Sequence, residues 1–402
     1  MSDLPRLTAA EAAARLGVKP ESLYAYVSRG LLTRERDATG SSFDPLEVEA
    51  FARRRRRSLT ASPGGRAPGT PLMVLDTGLA HIVDDELLYR GRSVARLARE
   101  QSFEQVVMWL WRTDALRPPP AGDIAVASRT IASLGEAASP LDRMLVAVTA
   151  LAATDPLRDD PAPEQLTRIG ARLVTGLPAA LCGDGGTGPV ARTLWRALAP
   201  GSRVDAVQGA RVVDAALVLV IDHDLALSTL AARVAASARA PGYAVVTAAL
   251  GAFDAPLHGT ASRAAAHMLR AVRDGVAAPA AIARAVRDGG RGIPGFGQPL
   301  YTGTDARASV LLGLLRDAPG SAEVLAAVDA VADEVARRAD ARPNLDLALA
   351  ALTLWADMSD DAGSVIFAIG RTAGWISHAM EEYEQRPMRL RPRGRYVGPP
   401  AE

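Results

Sequence analysis

Apolar residues recur at helical spacing along most of the chain. Near the start, Ala12, Ala13 and Leu16 follow Thr8-Ala-Ala-Glu11. In that spacing a hydroxyl and a carboxylate reciprocally satisfy the first free amides of a helix, and Gly17 is a natural stop. Pro20 opens a second helix carrying Leu23, Tyr24 and Val27 as far as Gly30, so the two predict a helix-turn-helix. Leu31 to Arg34 and Ser41 to Phe43 predict a small paired wing, and Asp44-Pro45 caps a third helix running into Arg53–Arg57. Residues 58–71, with Pro63-Gly64-Gly65 and Pro68-Gly69, have linker composition. Beyond them, Glu86 to Arg92 reads as a strand-like stretch turning at Gly91, followed by a helix through Val94 and Leu97. Ser102-Phe103-Glu104 starts an amphipathic helix with Val106, Val107, Leu110 and Trp111 on its apolar side. Helices broken by Pro/Gly-rich segments fill residues 120–250, and the strongest apolar run, Ala215 to Ile221, ends at Asp222-His223-Asp224 before Ser228-Thr229 restarts a helix. No internal repeat is present.

Composition supports the helical reading. Apolar residues make up 49% and aromatics 4%, with abundant alanine, which favours closely packed helices over a β-sandwich. The expected fold class is all-α. The formal net charge of +1 makes no general case for nucleic acid, although Arg53–Arg57 concentrate positive charge near the N-terminus. Lys19 is the only lysine, so a Schiff base elsewhere is excluded; Cys182 is the only cysteine, so there is neither an intrachain disulfide nor a thiolate metal cluster. The expected setting is cytoplasmic. The N-terminus lacks signal-peptide layout, and the Ala215–Ile221 run is too short to span a bilayer. The glycine-rich Gly183 to Gly188 lacks the Lys-Ser/Thr of a phosphate loop and reads as a connection.

Candidate chemistry gathers at breaks between helices. Ala255-Pro256-Leu257-His258-Gly259-Thr260 presents an imidazole between a proline and a glycine. His223 follows the apolar run; Gly295-Phe296-Gly297-Gln298 precedes Tyr301 and Asp305-Ala306-Arg307; Arg342-Pro343-Asn344-Leu345-Asp346 supplies a carboxylate; and Arg371 sits in Gly370-Arg371-Thr372-Ala373-Gly374-Trp375. Taken singly, either histidine reads as a structural residue, Asp346 as a helix N-cap, and Arg371 and Arg393 as surface charges. As a set they suit removal of a proton next to a carbonyl, with a carboxylate base, a neutral donor to the enol oxygen, and arginines for a substrate bearing two carboxylates. His81, His267 and His378 read as structural, and Trp109, Trp111 and Trp375 as packing residues.

The runs Tyr89-Arg-Gly91, Ser102-Phe-Glu104, Asp222-His-Asp224, Pro256-Leu-His-Gly259, Gly295-Phe-Gly297, Pro343-Asn-Leu-Asp346, Arg371-Thr-Ala-Gly-Trp375 and Arg391-Pro-Arg393 resemble, in order and spacing, the citrate synthase family, including its methylcitrate synthase members. The resemblance covers residues 72–399. It implies a homodimer of two-domain helical subunits: a large domain from 72–258 and 366–402, and a small domain, 259–365, that closes over oxaloacetate before acetyl-CoA binds. It implies that Asp346 removes a methyl proton from acetyl-CoA or another short acyl-CoA and that His258 stabilises the enol. His223, Arg307 and Arg371 would hold oxaloacetate or a related 2-oxo acid, and Arg393 would reach the neighbouring subunit's site. No metal or bound cofactor is implied, the CoA ester being a substrate, and no membrane partner.

Three positions depart from the family. Gln298 replaces the histidine that polarises the ketone; Gly259-Thr260-Ala261-Ser262 replaces Gly-Gly-Ala-Asn; Val220 stands where many members have another histidine. An amide donates a hydrogen bond but cannot become cationic, so Gln298 completes the catalytic trio with an altered third member. Residues 1–57 resemble the winged helix-turn-helix of the MerR and excisionase-type regulators. That implies DNA contact through Ser22, Tyr24, Arg29 and Arg34, and an alternative role as a regulator sensing CoA esters or dicarboxylates. Acidic Glu35, Asp37, Glu47 and Glu49 dilute the charge and leave open a module for protein contacts.

Overall fold

The computed structural model describes residues 5–37, 40–60, 73–160, 162–183, 186, 188–289 and 292–399, with side chains omitted at 56–60. Most of the linker-like stretch, and the side chains of Arg56 and Arg57, lie outside the described residues. Eighteen helices and two three-stranded antiparallel sheets are present among them.

The first helix, Ala9–Leu16, begins where the Thr8 hydroxyl accepts from the Glu11 amide and the Glu11 carboxylate accepts from the Thr8 amide; it ends at Gly17 with φ 62°. Pro20–Ser28 follows after a short turn. Strand Arg34–Asp37 pairs with Gly40–Phe43, and a short strand, Leu7–Thr8, joins the other edge of Gly40–Phe43. Helix alternation hides that two-residue strand, because Thr8 serves as cap and ladder residue at once. Helix Pro45–Thr60 completes the unit around Leu7, Leu23, Phe43 and Val48.

The second sheet begins with Ala80–Val83, which sequence reading left unassigned. It pairs with Glu86–Tyr89 across a turn at Asp84 and Asp85, whose φ values are 49° and 61°. Both positive φ values match the twist of a two-residue hairpin turn, and aspartate tolerates them better than most residues. Arg90 and Gly91 then turn the chain into Arg92–Ser93.

The remaining helices form one extended core in two groups. Helix Ala362–Tyr383 is buried on nearly every side and packs against Pro163–Cys182, Ala206–Leu219, Leu227–Ser237 and Gly242–Phe253. Its glycines permit that closeness: a Cβ on Gly374 would lie 1.9 Å from the Ile221 carbonyl oxygen, and one on Gly370 would lie 2.4 Å from Val220. Helices Ala261–Arg273, Ala278–Gly289, Ala306–Arg316, Ala322–Ala339 and Leu345–Trp355 pack among themselves as the second group. The chain crosses back in residues 356–361, and the helix that follows is continuous through 365 and 366.

A buried ionic chain braces the first group. His378 Nε2 lies 3.0 Å from Asp222 Oδ2 and His378 Nδ1 lies 3.6 Å from Glu381 Oε2. Arg233 contacts Glu381 and Glu382, and Arg389 closes on Glu382 at 2.6 Å. Burial works against a charged imidazolium, but the Asp222 and Glu381 carboxylates outweigh it and raise His378 to about 9. A raised folded-state value stabilises the fold fully below the ordinary value of 6.5, and that contribution is lost as pH rises through about 9. Replacing His378 by Asn strands the buried Asp222 carboxylate, whereas Glu381 keeps Arg233, Thr77 and Gly78. Urea unfolding at pH 7 is expected to register a loss of about 3–5 kcal/mol, the usual penalty for breaking a buried pair.

Candidate active site

Within the second group, residues 295–297 run antiparallel beside 342–344. The Gly297 amide donates to the Arg342 carbonyl at 2.9 Å, the Asn344 amide to the Gly295 carbonyl at 2.9 Å, and the Asn344 side chain to the Gly297 carbonyl at 3.1 Å. Gly295 and Gly297 take φ values of 80° and 82°, open to glycine at little cost. This crossing brings Gln298 and Asp346 onto adjoining segments.

Asp346 is not the N-cap of its helix. Asn344 caps Leu345–Trp355, accepting from the Asp346 amide at 3.0 Å, so the Asp346 carboxylate is left for other work. The residue is half-buried, yet its Oδ1 is sealed from solvent and has no hydrogen-bond partner. Burial raises its carboxyl to about 7, with Arg307 opposing the rise and Asp305 adding to it. An orphaned carboxylate poised near neutrality suits a general base.

His258 stands in the turn between helices Gly242–Phe253 and Ala261–Arg273, where the Gly259 amide donates to the Phe253 carbonyl at 2.9 Å. Gly259 is required there, since a Cβ would fall 2.3 Å from the Phe253 ring. His258 Nε2 is 2.7 Å from the Ser228 hydroxyl, which also accepts from Trp375 Nε1 at 3.2 Å. Ser228 is fully buried, and among the described residues its own proton finds an acceptor at Nε2. The ring proton is thereby assigned to Nδ1. Burial, assisted by Arg371, lowers His258 to about 4, so the ring is neutral at physiological pH and Nδ1 is a neutral donor. Trp375 thus orients a site residue as well as packing.

The cationic side is equally buried. Arg371 donates from Nε to the Val220 carbonyl at 2.8 Å, and its guanidinium carbon lies 4.9 Å from the Phe367 ring centroid; Nη1 has no partner. Burial lowers it to about 10, Asp222 opposing and nearby Arg307 adding. Arg307 makes a fork with Asp305 at 3.0 and 2.7 Å. Burial works against its charge, and Asp305 outweighs burial to raise its pKa. His223 is held by Tyr301, Nε2 to hydroxyl 3.0 Å; burial, then Arg307 and Arg371, push it well below 6.5. Gln298 is half-buried with its amide oxygen 3.4 Å from the Leu300 amide, so its N–H groups are the available donors.

His258, His223, Arg371, Arg307 and Asp346 are thus linked by shared fields, Gln298 adjoins them through the bond of Gly297 to Asn344, and Arg393 is exposed in a C-terminal stretch without regular structure. In the N-terminal unit, Tyr24 is 41% exposed with Arg34 lying 5.9 Å from its ring, Arg29 is exposed and Ser22 half-buried. Sequence reading gave no role to Ser228, Tyr301 or Asp305. Only Tyr301 and Asp305 carried a signal, by adjoining Gln298 and Arg307.

One contact ties the second sheet to the segment after Gln298. The Asp85 carboxylate accepts from the Thr302 amide, the Thr302 hydroxyl and the Gly303 amide, each at 2.7 Å. Those bonds, the Thr302 hydroxyl first, lower the Asp85 pKa. Asp85→Ala releases three charge-assisted bonds that hold the two groups together. Steady-state kinetics is expected to give a KM raised about fivefold or more with kcat nearly unchanged, since the segment leading to Arg307 loosens while the reacting groups are untouched.

A mostly helical enzyme with a carboxylate, two neutral imidazoles and two buried guanidiniums at the meeting of its helix groups is what fold and site define. The family model described as citrate synthase, C-terminal domain, matches residues 69–393, and the chain belongs to the citrate synthase family as an acyltransferase of that type. A citrate synthase from Haloferax volcanii is 30% identical over 363 residues, covering 81% of this chain and 94% of its own. A 2-methylcitrate synthase from Corynebacterium glutamicum is 28% identical, covering 78% and 89%. Among solved structures, the Thermoplasma acidophilum citrate synthase, in ternary complex with carboxymethyl coenzyme A and oxaloacetate, shares the fold with a TM-score of 0.67 at 21% identity, covering 82% of this chain and 95% of that one. Among the described residues no group of three or more His, Cys, Asp or Glu is placed to hold a metal, and no helix is long and apolar enough to cross a membrane.

Proposed function

We propose that the protein condenses acetyl-CoA, or another short acyl-CoA, with oxaloacetate or a related 2-oxo acid, using Asp346 as base. The carrying observation is the sealed, unpartnered Asp346 Oδ1 on a carboxyl raised to about 7. Arg371, Arg307 and His223 bind the 2-oxo acid, the guanidiniums taking its carboxylates. Asp346 removes a proton from the carbon next to the thioester carbonyl, and the His258 Nδ1 proton bonds the developing enol oxygen. The enol carbon then attacks the ketone carbon while a Gln298 amide N–H hydrogen-bonds the ketone oxygen, and the proton held by Asp346 returns through water to the new alkoxide; water finally cleaves the thioester, its oxygen joining the acyl carbon and a proton leaving with the CoA sulfur to give a carboxylate. The homodimer, with Arg393 entering the neighbouring site, belongs to the same reading.

CoA release from acetyl-CoA and oxaloacetate by the purified chain tests this proposal. Release is expected, and none with any short acyl-CoA and 2-oxo acid pair would sink it. Gln298→His restores a side chain able to give up a proton to the new alkoxide. The same assay is expected to record an increase of about 10²-fold, the lower end of what a positioned acid contributes; an unchanged rate means the amide already suffices.

A further inference from the structure

We propose that Tyr301 is the residue that positions His223 for the 2-oxo acid, reaching across from the second helix group to fix which ring nitrogen carries the proton. The Tyr301 hydroxyl lies 3.0 Å from His223 Nε2, with the ring centroids 5.5 Å apart and the planes tilted by 36°. His223 follows helix Ala206–Leu219 of the first group, whereas Tyr301 lies between Gln298 and helix Ala306–Arg316 of the second. The bond between them therefore spans the seam of the active site. A second grip on the same segment comes from the hairpin turn, where Asp85 holds Thr302 and Gly303, the two residues after Tyr301. Residues 301–303 are thus tied to the first group at two points, and one of them is a site imidazole.

The direction of the bond follows from what each partner can give. Tyr301 is buried, and burial raises its phenol to about 12, Arg307 opposing and Asp305 and Asp85 adding, so it keeps its proton at any working pH. Arg307, itself fixed by its fork to Asp305 at 3.0 and 2.7 Å, also bonds to this hydroxyl. A guanidinium only donates, so the phenol oxygen is the acceptor there and its own proton is left for His223. Among the described residues that proton finds its acceptor at Nε2. His223 is neutral, pushed well below 6.5 by burial and then by Arg307 and Arg371. With Nε2 accepting, the one proton of a neutral imidazole sits on Nδ1. Ser228 fixes His258 in the same form, so the site presents two neutral Nδ1 donors, each set by a hydroxyl from another part of the chain. For His223 the choice matters because its ligand is an anion. Nδ1–H donates to a carboxylate oxygen, whereas the other tautomer turns a lone pair toward it.

That His223 meets a 2-oxo acid rests on the function proposed above; its tautomer rests on the geometry alone. Nitrogen-15 NMR of the full chain, labelled in the histidine rings, tests the tautomer directly, the His223 signals being those lost in His223→Asn. The comparison is with Tyr301→Phe, which keeps the ring and its packing and removes only the hydroxyl. Wild type is expected to show His223 protonated at Nδ1 alone, and Tyr301→Phe to show both tautomers. A role in packing alone would leave the tautomer unmoved. Calorimetric titration with oxaloacetate, without any CoA ester, is expected to find binding about tenfold weaker in Tyr301→Phe. His223 protonated at Nε2 in wild type, an unchanged tautomer in Tyr301→Phe, or equal oxaloacetate affinity in the two proteins overturns the proposal. CoA release is scored separately: its absence alongside the expected tautomers and affinities counts against condensation and leaves the positioning role of Tyr301 standing.

Discussion

Asp346→Asn is expected to lower kcat by about 10²–10⁴-fold, the range for removing a positioned general base, with little effect on binding of the 2-oxo acid. The asparagine fills the same space and keeps the helix cap, because Asn344 holds that cap. What it removes is a basic oxygen sealed from water. The pH dependence carries the same signature. Asp346 must be deprotonated to accept a proton, and its carboxyl is raised to about 7, so kcat/KM falls tenfold per unit as pH drops below about 7. His258 titrates at about 4 and stays neutral across that range, so it does not set the acidic limb. A limb near pH 4 would return the base to an ordinary exposed carboxylate.

Arg371→Met is expected to push affinity and stability in opposite directions. Arg371 is 1% exposed, its Nη1 has no partner among the described residues, and burial lowers its pKa to about 10, all signs of a charge held at a cost. A methionine of similar length removes that cost, so the melting temperature of the ligand-free protein is expected to rise. The same change strips a substrate carboxylate of its buried partner. Loss of about 2–5 kcal/mol of binding raises the KM for the 2-oxo acid by roughly 30-fold or more. A variant that melts lower while keeping its KM would make Arg371 a structural residue.

The helical architecture was legible because capping boxes and apolar spacing act locally: Thr8 with Glu11 closes as its spacing requires, and Ser102 starts its helix where the apolar pattern begins. His223, His258 and Gln298 were legible because they lie at breaks between helices, and Arg307 and Asp346 because they stand in first turns; Arg371, deep inside helix Ala362–Tyr383, was legible only through its motif. Their supports were not. Ser228 lies thirty residues before His258 and Trp375 far beyond it, so the bonds that fix the imidazole proton exist only after the two helix groups pack. The same holds for His378, read as structural and found to be a charged brace under Asp222. Asp346 read as a possible cap because a single aspartate before a helix looks alike in either role; Asn344 decides between them.

Deuterium incorporation into the methyl group of acetyl-CoA in D2O isolates proton removal from the later carbon–carbon bond, and so from any effect of Gln298. With the 2-oxo acid site filled by an unreactive dicarboxylate, wild type is expected to exchange and Asp346→Asn to exchange at least 100-fold more slowly. No exchange by wild type, or equal exchange by the two proteins, would contradict the assignment of Asp346 as the base.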